Sequence, residues 1–100
     1  MKEKVLVTVV GTDHYYGNKI FEIGEYVTLE KEPKNPYDSD AIAVFMDKYG
    51  VCGYIANSVN TVLRGTKSAS RIYEHIGDTH KAKIVYSTFD NVILEVEFGL

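Results

Sequence analysis

The sequence predicts a mainly β domain with one or two short helices, built as a small barrel or a sandwich. Three observations carry that expectation. Apolar residues alternate with a period of two through most of the chain, a helical period appears only between residues 57 and 77, and Gly, Pro and Asx residues punctuate the runs at short intervals. Six short strands in 100 residues favour closure or stacking, because either arrangement protects strand edges from pairing with other chains. No repeat, low-complexity tract or Pro/Gly/Ser linker divides the sequence, so residues 1–100 read as a single domain.

The first strand spans residues 5–10, with Val5, Val7 and Val9 on one side and Leu6, Thr8 and Val10 on the other. Two mostly apolar faces suit a strand covered on both sides. Residues 26–32 alternate again, Val27 and Leu29 inward against Thr28, Glu30 and Glu32. The two prolines and the Asx and Ser residues of 33–40 exclude regular structure there. Residues 41–47 and 51–56 form a hairpin around Lys48-Tyr49-Gly50, with Gly50 suited to a positive φ. Ser58 or Asn57 is placed to cap a helix through Val59, Val62 and Leu63 that Gly65 stops. Ser68 is placed to cap a second, in which Ala69, Ile72, Tyr73 and Ile76 share a face ahead of Gly77. The last strands, 80–88 and 91–98, turn about Asp90-Asn91, and Val92, Leu94, Val96 and Phe98 face away from Glu95 and Glu97.

Composition narrows the function. With 45% hydrophobic and 25% charged residues the chain is ordinarily globular, and the lone Cys52 excludes an internal disulfide framework or a multi-cysteine zinc cluster. The apolar run 5–10 is too short for a signal-peptide core or a membrane span, so a soluble, cytoplasmic protein without membrane partners is expected. A net charge of −3 argues against nonspecific coating of a polyanion, which rests on many Lys and Arg contacts to phosphate. The charge is uneven, however. Residues 57–73 hold Arg64, Lys67 and Arg71 and no acid.

Three segments concentrate polar and aromatic residues: Gly11-Thr12-Asp13-His14-Tyr15-Tyr16-Gly17, Asn35-Pro36-Tyr37-Asp38, and Gly53-Tyr54-Ile55-Ala56-Asn57. A tyrosine ring can stack on a flat ligand while its hydroxyl stays wet, though it can equally wedge a loop against the core. Asp38 can accept from a ligand hydroxyl or tie its own turn.

The order Val10-Gly11, Tyr15-Tyr16, Gly24-Glu25, Leu29-Glu30-Lys31-Glu32-Pro33, Asn35-Pro36-Tyr37-Asp38, Asp40-Ala41-Ile42-Ala43-Val44 and Gly53-Tyr54-Ile55 resembles the HIRAN domain. That family occurs as stand-alone bacterial proteins and fused to helicase-like DNA translocases. The resemblance is strong over residues 5–63, and the final strand pair fits by pattern. It implies an OB-like, six-stranded barrel that grips the 3′ end of single-stranded DNA, without catalysis or cofactor, in a setting such as DNA repair. Tyr15 and Tyr37 match the rings that hold the terminal base, with Tyr16 beside the first. Asp38 matches the carboxylate that accepts from the 3′-hydroxyl, and Asn35 lies in the same loop. Two departures concern phosphate contacts: His14 stands where eukaryotic members often carry a basic residue, and Tyr54 and Asn57 stand where they carry histidine and lysine. Arg64, Lys67 and Arg71 are then the candidates to meet the backbone, helped by N–H groups of Gly65-Thr66-Lys67-Ser68.

Catalysis finds little support in the sequence. Cys52 reads as a small core residue, His75 and His80 share no helical face, and the Asp38/Asp40 pair is explained as well by an Asx-rich turn as by a loosely held Mg²⁺. The expected partner is a single-stranded DNA 3′ end. The alternative is an adaptor that docks a protein, such as a DNA-processing enzyme, on the same groove or on the Arg64–Arg71 face.

Overall fold

In a computed structural model that describes residues 2–99, the described residues form six strands. They are β1 (Lys2–Val10), β2 (Tyr26–Lys31), β3 (Ile42–Met46), β4 (Gly50–Ile55), β5 (Thr79–Ser87) and β6 (Val92–Gly99). Every pairing is antiparallel, and the strands close into a barrel in the order β1-β4-β3-β2-β5-β6. The mainly β fold class and the six-stranded barrel expected above are therefore present.

The period-two pattern places the core. Val7 and Val9, Val27 and Leu29, Ile42 and Val44, Ile84, and Val92, Leu94, Val96 and Phe98 all point into one buried cluster. A short helix, α1 (Ala69–Ile72), continues as a single 3₁₀ turn over Tyr73–His75 and lays Ala69, Ile72 and Ile76 into that cluster. Ser68 starts it as its spacing suggested, accepting from the Arg71 backbone N–H on its hydroxyl.

Four local expectations need correction. The helix expected after Asn57 is a single turn. Ser58 does accept from the N–H groups of Thr61 at 2.9 Å and Val62 at 3.0 Å, but Val59 stands 95% exposed, so no apolar face forms. Asn60, Thr61 and Val62 are weak helix formers. The chain beyond them is drawn onto β1 instead, where Lys67 N–H donates to Leu6 C=O at 2.7 Å and the Thr66 and Thr8 hydroxyls meet at 3.0 Å. That crossover buries Thr8 but leaves Leu6 exposed, so β1 is not covered evenly on its outer face. β1 also begins at Lys2, because β6 runs beside it as far as Lys2↔Gly99. The β3–β4 loop is Asp47-Lys48-Tyr49, since Gly50 (φ 80°) already pairs with Met46.

Closure sets where the loop after β1 meets the end of β4. β1 pairs with β4 over just Val9↔Ile55 and Val10↔Tyr54, and the seam is tight there. A Cβ on Gly53 would lie 2.9 Å from the Val10 carbonyl oxygen, so only glycine fits.

Candidate nucleic-acid interface

The loop between β2 and β3 is held by its own side chains. Asn35 Oδ1 accepts from the N–H groups of Tyr37 (2.9 Å) and Asp38 (3.3 Å), and Asp38 Oδ1 accepts from Asp40 N–H (2.9 Å). These are Asx turns, the chemistry for which Asn and Asp are favoured in such loops. They leave the Tyr37 ring 95% exposed on a fixed backbone.

Two further contacts join this loop to the end of β4 and to α1. Asn57 Nδ2 donates to Asp38 Oδ2 at 2.7 Å, while Asn57 Oδ1 accepts from Ser70 N–H at 2.9 Å. The Ser70 hydroxyl donates to Asp40 Oδ2 at 2.8 Å. At the other end of the loop, Tyr54 donates its hydroxyl to the Glu32 carboxylate (2.9 Å to Oε1, 3.1 Å to Oε2), and Asn35 Nδ2 donates to the same Oε1 at 3.0 Å. Burial, then the hydrogen bond to Glu32 and its charge, push the Tyr54 phenol well above the ordinary tyrosine range. The Tyr15 ring lies 6.5 Å from that of Tyr54, inclined by 43°.

Tyr15, Asn35, Asp38, Tyr54 and Asn57 are thus drawn into one continuous network with Tyr37 at its rim. Tyr16 turns elsewhere: its hydroxyl donates to Tyr49 C=O at 3.3 Å and its ring lies 4.9 Å from that of Tyr49. His14 is exposed on a 3₁₀ turn, Thr12–His14, that the sequence did not announce. Arg64, Lys67 and Arg71 are all exposed. The ion pairs among the described residues are those of Lys2 and Lys4 with Glu97, so none of the three cations is neutralised by a carboxylate. Arg71 follows Ser70 directly and sits beside the network, while Arg64 lies on the crossover before Gly65. The N–H groups of Thr66 and Lys67 already bond to Leu63 and Leu6, which withdraws them from any phosphate.

Sequence reasoning missed Glu32, Ser70 and Asn18 as organising groups. Glu32 stands in the Leu29-Glu30-Lys31-Glu32-Pro33 run, which is a usable signal. Asn18 had none. It donates to the carbonyls of Thr88 (3.1 Å) and Phe89 (3.0 Å), and so ties the double-tyrosine turn to the β5–β6 hairpin. A groove of about 1050 Å³ runs between these segments, lined by Tyr16, Asn18, Asn60 and Phe89 among others, with Phe89 93% exposed at the hairpin tip.

Among the described residues no group of three or more His, Cys, Asp or Glu is placed to hold a metal ion, and no helix is long and apolar enough to cross a membrane. Cys52 is buried, and that burial raises its thiol above the ordinary range, away from the reactive thiolate.

The strands and their pairing define a small, closed six-stranded β-barrel domain. The family profile of the HIRAN domain matches residues 2–97, and the chain belongs to that family, whose members are in general DNA-binding modules. The barrel is also similar to the crystal structure of a Lactobacillus plantarum protein determined by a structural genomics consortium. The two are 20% identical, with a TM-score of 0.63 over 99% of this chain and 100% of that one, a likeness of fold. No curated protein matches the chain.

Proposed function

We propose that this protein binds the 3′-hydroxyl end of single-stranded DNA and does not turn it over. The observation that carries the reading is Tyr37, an aromatic ring held almost wholly in solvent by a loop that Asn35 and Asp38 have already made rigid. A ring so presented has no packing role and costs little to order on binding, and base–aromatic stacking contributes roughly 1–3 kcal/mol per base. Asp38 sits on the same turn. Its carboxylate accepts one hydrogen bond on each oxygen, which leaves lone pairs for a terminal hydroxyl and repels a 3′-phosphate. Tyr15 supplies a second ring, Arg71 supplies positive charge next to Ser70 and its Asp40 contact, and Lys67 adds an exposed cation on the crossover. On this reading the domain works in the cytoplasm alongside a DNA-processing enzyme, with DNA repair as its setting.

The uncompensated cations would also suit an acidic protein segment, which makes an adaptor the second reading. The deciding experiment compares a short single strand ending in a 3′-hydroxyl, the same strand ending in a 3′-phosphate, and a duplex, by fluorescence anisotropy. Preference for the free hydroxyl is expected. Equal affinity for all three, or none for any, refutes the proposal.

A further inference from the structure

We infer that Asn57 is a positioning residue that orients Asp38 and couples it to α1, rather than a contact to DNA phosphate. The inference rests on the reading above, in which Asp38 meets the terminal hydroxyl. Asn57 leaves β4 just after the barrel seam and lies between two elements far apart in sequence. One end of its amide donates to Asp38 Oδ2 at 2.7 Å, and the other accepts from Ser70 N–H at 2.9 Å, in the first turn of α1. A side-chain amide carries its donor and its acceptor on separate atoms and stays uncharged, so it can serve both neighbours at once. A lysine here could hold Asp38 only by ion pairing, and could not accept from Ser70. An aspartate would face Asp38 as a like charge.

The remaining contacts share the same logic. Asp40 N–H holds the other Asp38 oxygen, and the Ser70 hydroxyl holds Asp40, so four groups form a closed circuit: Asp38, Asn57, Ser70 and Asp40. In that circuit both Asp38 oxygens are aimed before any ligand arrives. The helix that presents Arg71 is fixed to the same frame. A carboxylate aimed in advance loses less freedom on binding, and that gain falls on the hydroxyl contact alone. Asn57 therefore governs end selectivity, while the salt-dependent phosphate attraction rests on the cations.

The test uses the intact protein and Asn57→Ala, Asp38→Ala and the double variant, against oligonucleotides ending in a 3′-hydroxyl or a 3′-deoxy sugar. Asn57→Ala is expected to lower the hydroxyl-over-deoxy preference by about tenfold, the scale of a lost hydrogen bond to a charged group. The slope of log K against log salt should stay unchanged. Asn57→Ala should add nothing to the selectivity lost in Asp38→Ala. Equal weakening for both ends with a shallower salt slope would make Asn57 a phosphate contact and overturn the inference. Amide exchange without DNA provides an independent readout: Asp40 and Ser70 N–H should lose protection together in Asn57→Ala, and loss at Ser70 alone also overturns it. Wild-type protein blind to the end group would instead defeat the 3′-end reading, and the exchange result would still decide whether Asn57 couples loop to helix.

Discussion

Tyr54→Phe removes one hydroxyl and keeps the ring near Tyr15, so it isolates the contact to Glu32. That hydroxyl sits 2.9 and 3.1 Å from the two carboxylate oxygens, and only Asn35 Nδ2 remains to Glu32 once it is gone. A hydrogen bond to a charged group is worth roughly 1.5–3 kcal/mol, so a loss of about 2 kcal/mol is expected at neutral pH. For a domain of this size that corresponds to a fall in Tm of about 8–16 °C. The pH dependence has a definite sign. The Tyr54 phenol is raised in the folded protein, chiefly by burial and then by Glu32, whereas the unfolded phenol ionises near ~10. The stabilisation is therefore complete below about pH 10 and is lost as the pH climbs further, because the unfolded chain ionises first. Urea melts followed by circular dichroism suit a chain with no tryptophan. The gap between wild type and Tyr54→Phe should be constant across neutral pH and narrow above about pH 10. A gap below about 0.5 kcal/mol at neutral pH, or one of the same size at high pH, would refute the reasoning.

Tyr37→Ala should weaken single-strand binding by about 5- to 150-fold, the stacking range, and leave the melting temperature nearly unchanged because the ring is 95% exposed. A fall of many degrees would make the ring structural. Gly53→Ala places a Cβ 2.9 Å from both the Val10 carbonyl oxygen and Val9 Cγ1, so the β1–β4 seam must part, at a cost of about 1–3 kcal/mol. An unchanged urea midpoint would contradict that packing. Replacing Lys67 and Arg71 together by Gln should flatten the log K against log salt slope by about 1.4, two single-strand phosphate contacts, without altering the preference for a 3′-hydroxyl. A changed preference with an unchanged slope would take both cations away from the phosphates.

What the sequence made legible was whatever depends on neighbours along the chain. β6 could be read because Val92, Leu94, Val96 and Phe98 all point inward, and α1 because Ser68 and the Ala69/Ile72/Ile76 spacing agree. The turn after Asn57 misled because Ser58 satisfies a capping rule while the tertiary pull of Thr66 and Lys67 on β1 decides the path. Strand order was not legible: nothing local says that β2 lies beside β5 or that β1 meets β4 at two residues. The site divided the same way. The Asx turns around Asn35 and Asp38 are local chemistry, so the loop was conspicuous. Asn57 to Asp38, Tyr54 to Glu32 and Ser70 to Asp40 join positions 19, 22 and 30 residues apart, brought together by the pairing of β2, β3 and β4 and by the docking of α1 beside them. Tyr15 and Tyr16 are adjacent in sequence, yet one turns towards Tyr54 and the other towards Tyr49.

Lys2 faces Gly99 across an antiparallel pair, so the polypeptide enters and leaves the barrel at one point. Partnered strands hold such residues about 5 Å apart. A unit with its ends so close can be spliced into a surface loop of a host protein without spreading the host strands on either side. It can equally be hung from a terminus. The same geometry allows the ends to be joined by a few glycines and the ring reopened at another exposed turn, such as the β5–β6 hairpin tip around Phe89. For engineering, this is a cassette whose orientation on its carrier is set by one pair of strands.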